Sequence, residues 1–370
     1  MPLLFLAGDV MTGRGIDQVL PHPGAPRLYE ACVQSALDYV RLAELESGPI
    51  AAPVGFDYVW GDALEVLEAK RPDARIVNLE TAVTARGAPW PDKGIHYRMH
   101  PANVAALAAA RIDACALANN HVLDWGREGL AETLAVLVRS GIATAGAGEN
   151  AERAAAPAVI PIAEGRRVLV FAYGEGSSGV PRDWAATNER SGVNRLADLS
   201  PRTVEQVARA IGRHRRAGDL VVASIHWGGN WGYAIGRDER AFAHALIDTA
   251  HVDVVHGHSS HHPKGIELHA GRPILYGCGD LLNDYEGISG YREFAPELRA
   301  MYFPTFGANG ALESFDIVPM RLARFRLERA GAADARALAS TLARESARLG
   351  TRVEPGPDGE LRVDIMERAA

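Results

Sequence analysis

What limits the folds open to this chain is the placement of its polar residues. Short apolar runs recur along it, and nearly every one ends in groups able to bind a metal or a proton. Residues 3–7 lead into Gly8-Asp9-Val10-Met11, and 74–78 into Asn78-Leu79-Glu80-Thr81. Residues 114–118 lead into Asn119-Asn120-His121 with Asp124 close behind. Two later runs end in His226-Trp227-Gly228 and in His256-Gly257-His258-Ser259-Ser260-His261-His262. In open α/β sheets the ligand crevice lies beyond the carboxyl ends of the strands. Five such clusters are therefore expected to meet in one crevice.

The same runs give the fold class. Apolar strands alternating with longer stretches of helical spacing mark an α/β protein. Strands are expected at 3–7, 74–78, 114–118, 158–162, 167–172, 220–225 and 252–256, then at 265–268, 273–276, 314–319 and 323–328. Helical spacing covers 102–110, 128–139, 201–217, 239–250 and 332–348. Residues 177–200 and 287–309 are read as long loops, which in a folded unit often serve as lids or binding walls. One unit is expected over 1–330, followed by a C-terminal helix and exposed tail over 331–370.

Composition narrows the partners. Lys and Arg total 39 against 46 Asp and Glu, a net charge of −7. Nucleic-acid and anionic-membrane binders need a basic footprint, so neither partner is expected. Three scattered cysteines exclude a disulfide framework and a thiolate metal knuckle. The apolar N-terminus has no basic residue before it and meets Asp9 too early for an export segment, so a cytoplasmic location is expected. Six of the thirteen histidines lie between His251 and His269. Together with Asp, Glu and Asn they form the mixed oxygen and nitrogen donor set that divalent metals take.

At this point the chain resembles a family. Gly8-Asp9-Val10-Met11, Asn78-Leu79-Glu80, Asn119-Asn120-His121, His226-Trp227-Gly228, Gly257-His258-Ser259-Ser260-His261 and Tyr276-Gly277-Cys278-Gly279-Asp280 are similar, in order, to the motif series of the CapA family. That family is named for poly-γ-glutamate synthesis and belongs to the calcineurin-like metallophosphoesterase superfamily. The resemblance implies a sandwich of two mixed β-sheets flanked by helices, with a metal centre at the strand ends. It implies Asp9, Glu80, Asn120, His226 and His258 as metal ligands, with His261 also at a ligand position. His121 then matches a protonated histidine that donates a proton, and Asp124 holds its ring. The superfamily carries a histidine two residues after the first aspartate, where this chain has Met11. A thioether is a poor ligand for such ions. One divalent metal (Mn, Zn, Fe or Ca) is therefore expected, with a second bound weakly at most.

Three functions follow. The first is epimerisation of a Cα centre in a peptide, as in relatives that act on lasso peptides. It needs two acid/base groups: His121 with Asp124, and His261 with Asp280, which is otherwise a loop cap. Arg14, Trp227, Trp231, His256 and His262 are the candidate substrate-binding residues. Trp184 and Tyr233 would extend an apolar wall, and each aromatic residue is alternatively core packing. The second function is metal-assisted hydrolysis of a phosphoester, with Arg14 as the nearby cation. The third is a factor for synthesis of an anionic polymer.

Overall fold

The computed structural model describes residues 1–365. Its chain forms two mixed β-sheets packed face to face and flanked by helices, the architecture that the resemblance implies. The first sheet runs in the order Val353–Pro355, Leu361–Val363, Leu312–Ala323, Leu298–Phe306, Leu4–Val10, Ala74–Leu79, Ala114–Ala116, Ala143–Ala145. The second runs Ile266–His269, Arg272–Leu275, Val254–His258, Leu220–His226, Arg167–Gly174, Ala158–Pro161.

The near-continuous apolar character of these strands has a simple cause, for both faces are covered. Side chains alternate across a strand, so Leu4 and Leu6 enter the layer between the sheets while Phe5 and Ala7 face outward. Val222 and Val254 meet the same inner layer, and Val221, Ala223 and Ile225 face the helices behind the second sheet. Those helices, Pro201–His214 and Arg237–Asp248, bury Val204, Val207, Ile211, Phe242 and Leu246 at helical spacing. Ser200 caps the first of them by accepting from the Thr203 N–H, and Pro201 occupies its first turn.

Several expected elements differ in extent. The 287–309 stretch is only partly a loop, because Leu298–Phe306 is a strand paired antiparallel with Leu312–Ala323. The expected strand at 323–328 spans a hairpin turn, with Arg324 and Phe325 both at φ 57°. The expected exposed tail is corrected through residue 363: Val353–Pro355 and Leu361–Val363 extend the first sheet, pairing through Asp316↔Arg362 and Ile317↔Leu361. Helices Arg14–Val19, Ala36–Ser47 and Ala63–Lys70 are additional to the expected ones. Among the described residues no helix is long and apolar enough to cross a membrane.

Candidate metal centre

Strand register brings the polar clusters together. Asp9 ends the central strand of the first sheet, opposite Asn78 on one side and Asp280 on the other. In the second sheet His226 and His258 are register partners on neighbouring parallel strands. The His226 and His258 Nδ1 atoms lie 2.8 Å apart, and across the crevice His258 Nδ1 is 3.9 Å from Asp9 Oδ1. One ligand atom from each of Asp9, His226 and His258 falls within 4.8 Å of the others, and Asp9, His261 and Asp280 form a second such group. The far nitrogen of His226, Nε2, is 3.1 Å from Asn120 Oδ1 and 3.8 Å from Glu80 Oε1.

The surroundings orient these groups. Asn78 Nδ2 donates to Asp9 Oδ1 at 2.7 Å and to Glu80 Oε2 at 3.2 Å. Asn119 Nδ2 donates to Asn78 Oδ1 at 3.0 Å, and its Oδ1 accepts the His121 N–H. The Ser259 N–H donates to Asp9 Oδ2, and His258 Nε2 meets Ser224 Oγ at 2.8 Å. Second partners of this kind fix ring tautomers and carboxylate rotamers at metal sites.

The donor set fits a divalent ion. Ligand atoms about 2.0–2.2 Å from a shared ion stand roughly 3 Å from one another, which is the spacing of the two facing imidazole nitrogens. Burial, with Asp280 adding, pushes Asp9 up to about 7. Burial and the charges of Asp9 and Asp280 hold Glu80 well above the usual carboxylate range. Burial keeps His226 and His258 neutral, the form that ligates. Crowded carboxylates beside neutral imidazoles are what a buried cation relieves. Because ligands bind deprotonated, the ion competes with the Asp9 proton. Above pH 7 the carboxylate is already ionised; below it, metal affinity is expected to fall up to about tenfold per pH unit, with one proton released as the metal binds. Manganese titrations by calorimetry between about pH 5.5 and 8.5 check this, and a flat profile contradicts it.

Two imidazole–carboxylate pairs border the group. His121 Nδ1 is 2.6 Å from Asp124 Oδ2, and its Nε2 is 3.8 Å from Glu80 Oε1. His261 Nδ1 is 2.9 Å from Asp280 Oδ1. Their electrostatics differ. Burial pushes His121 down to about 4 against the pull of Asp124, with Lys93 adding to the fall. Burial also opposes charge on His261, but Asp280 and Asp9 outweigh it and raise its pKa. Burial thus favours the neutral ring at His121, while Asp280 and Asp9 favour the charged ring at His261. Each ring packs edge-on against a tyrosine, Tyr97 at 4.7 Å and Tyr285 at 5.2 Å, and the two hydroxyls meet at 3.2 Å.

Of the expected substrate-binding residues, four are corrected. Arg14 is buried and spent on Asp284, Glu30 and Tyr39, so it offers no guanidinium to a ligand. His256 uses both nitrogens inside the fold, on Ala7 O and Ser224 Oγ. His262 does likewise with the Gly232 N–H and Pro263 O. Trp227 is core, its indole N–H bonded to Tyr276 O at 3.0 Å. Trp184 is core too. Trp231 does stand at the rim, stacked on Tyr291 at 4.1 Å and 5.4 Å from the His261 ring, with Tyr233 and Phe294 continuing the wall. Met11 is fully buried.

Sequence reasoning missed Lys93, whose Nζ bonds Asp124 and lies 3.0 Å from His121 Nδ1. It sits in a loop far from any motif, and nothing local marks it. Asn78 and Ser259 were inside quoted motifs and had a signal; Tyr97 and Tyr285 had none.

The profile of the bacterial capsule synthesis protein PGA_cap family matches residues 3–285. The chain belongs to this family. A Mycobacterium tuberculosis protein named a probable polyglutamine synthesis accessory protein is 48% identical over 97% of this chain and 95% of its own length. The capsule biosynthesis protein CapA of Bacillus anthracis is 24% identical over 75% of this chain and 59% of its own. A 5'-nucleotidase precursor from Thermus thermophilus overlays 92% of this PGA_cap chain and 58% of its own at 15% identity. The TM-score of that overlay, 0.45, is too low for its chemistry to bear on this protein.

Proposed function

We propose that this PGA_cap protein is a divalent-metal-dependent acid/base enzyme that acts on a peptide chain within the synthesis of an amino-acid polymer. We assign it removal and return of the proton at one Cα, an epimerisation. Asp9, His226 and His258 would hold the ion, which would supply Lewis-acid stabilisation of charge developing on a carbonyl oxygen, while the expected ligands Glu80 and Asn120 lie at the other nitrogen of His226. The names of the relatives support the polymer setting.

One observation carries the reaction: two His–Asp pairs of opposite charge preference flank the carboxylates. His121, neutral and donating Nδ1–H to Asp124, keeps Nε2 free to accept the Cα proton. His261, favoured as imidazolium beside Asp280, donates a proton to the opposite face. The C–H bond broken at one face is thus replaced by one formed at the other, and the two rings exchange charge. Trp231 and its aromatic neighbours would exclude water at the rim.

The cations that touch this cluster are all engaged, which disfavours a phosphoester substrate. Arg14 is held by Asp284, Lys93 by Asp124, and Arg299 by Asn283 and the Pro296 carbonyl. Glu80 lies 3.8 Å from both His121 and His226, and a second reading is metal-assisted hydrolysis, in which neutral His121 takes the proton of the attacking water and passes it to the leaving group.

Incubation of a glutamyl or glutaminyl peptide in D₂O separates them. Epimerisation adds one deuteron at Cα with the chain length unchanged; a shorter chain or released phosphate is hydrolysis. His121→Ala is expected to slow the exchange about 10²–10⁴-fold with metal content unchanged. Loss of metal along with activity would make His121 a ligand instead.

A further inference from the structure

Tyr285, whose ring packs on His261, also forms part of the wall of a second cavity of about 370 Å³. That volume lies within the range of small-ligand sites, about 300–1,000 Å³. Helix Ala36–Ser47 supplies Glu46 to the wall, and the loop after strand Asp280–Leu282 supplies Arg292. Glu297 and Arg299 come from the start of strand Leu298–Phe306, and Arg321 from its neighbour Leu312–Ala323.

Arg299 is the unusual member. It is 1% exposed, and its Nη atoms are spent on the carbonyls of Pro296 and Leu298 and on Asn283 Oδ1. Its Nε is buried with no hydrogen-bond partner, a state that native folds rarely leave without a use. Glu286 and Glu297 act on Arg299 only from beyond ion-pair distance. Glu286 is already taken by Ser47 Oγ and by the N–H groups of Arg324 and Phe325, and Arg321 is held by Asp334 at 2.9 Å. Among the described residues, the side chains of Glu46, Arg292 and Glu297 form no hydrogen bond and no ion pair. The cavity therefore retains donors from two arginines and two uncommitted carboxylates.

The turn above it is strained. Tyr291 and Ala295, at φ 61° and 47°, hold left-handed conformations on either side of Arg292–Phe294. Such strain collects at ligand clamps. The same turn lays Tyr291 on Trp231 at 4.1 Å and Phe294 on His262 at 4.6 Å, so it also carries the aromatic rim.

We propose that this cavity binds a zwitterion, a molecule with an ammonium and a carboxylate a few atoms apart, and that the occupant clamps the turn. A lone anion would meet Glu46 and Glu297, and a lone cation would meet Arg292 and Arg299. A ligand with both signs pairs all four, its carboxylate with the guanidinium N–H groups and its ammonium with the glutamates. Two sources carry that chemistry, a free α-amino acid and a short peptide with both ends unblocked. Binding here goes beyond the reaction proposed above and does not depend on it.

Calorimetry on the full chain tests this with L-glutamine, N-acetyl-L-glutamine, L-glutamine amide and L-glutaminyl-L-glutamine. Removing either charge from the probe is expected to weaken binding at least about tenfold. Arg292→Gln and Glu297→Gln are each expected to weaken L-glutamine about 3- to 30-fold. A tighter fit for L-glutamine assigns the free amino acid, and an equal or tighter fit for the dipeptide assigns the peptide. Hydrogen exchange read by mass spectrometry locates the occupant, with slower exchange expected across residues 285–297. A wild type that binds neither unblocked probe, or binds blocked and unblocked probes alike, overturns the proposal. So does affinity that survives both substitutions, or protection confined to the segments around His226 and His258, which would place the probe at the metal centre.

Discussion

His258→Ala is expected to lower metal affinity by more than about a hundredfold, and the activity with it. Changing residues that merely orient ligands costs about 10–100-fold, so losing a ligand exceeds that range. The ring supplies the nitrogen facing His226 Nδ1 at 2.8 Å, and its removal leaves Asp9 and His226 without a third donor. Ser224→Ala is the graded companion. It removes only the hydroxyl 2.8 Å from His258 Nε2, so it belongs in the range of about 10–100-fold. Metal analysis after dialysis, with competitive chelator titration, reads both. Equal affinity in wild type and His258→Ala would move the ion to the Asp9, His261 and Asp280 group instead.

Arg14→Met is expected to cost about 3–5 kcal/mol of stability, the usual cost of leaving a buried charge uncompensated. The guanidinium forks onto Asp284 and reaches Glu30, all three buried. It also lies 3.9 Å and 4.3 Å from the Tyr39 and Tyr97 ring centroids, so flat shape as well as charge matters. Lys at this position keeps the charge without the fork and should fall between wild type and Met. Urea midpoints at constant slope measure the difference, and a loss under about 1 kcal/mol would show the network to be dispensable. Tyr97 packs on His121 and meets Tyr285, which packs on His261, so a milder loosening at Arg14 should also reach the two imidazoles.

The strands that carry the polar clusters were readable because each is an apolar run that stops abruptly at Asp, Asn or His, and because both sheet faces are covered. His261 with Asp280 was readable for the same reason, since both follow such runs. What sequence pattern could not supply is burial of charge. Arg14 looked like a free cation because nothing nearby in sequence announces Asp284, 270 residues away. His256 looked like spare chemistry because its bond to Ala7 O crosses from one sheet to the other. Lys93 was invisible in a loop whose only marker is the pair it joins in space. The 298–306 strand was hidden by Pro304, which argues against a strand anywhere but at a position where its missing N–H is harmless.

Asp9 comes from one layer of the sandwich, while His226 and His258 come from the other. An ion seated among them would cross-brace the two halves of the molecule, making occupancy and folding free energy two readings of one equilibrium. Each tenfold rise in free ion above the dissociation constant adds about 1.4 kcal/mol to the folded state. Starvation for that ion would therefore shorten the lifetime of the protein as well as silence it, and cellular abundance would track mineral supply.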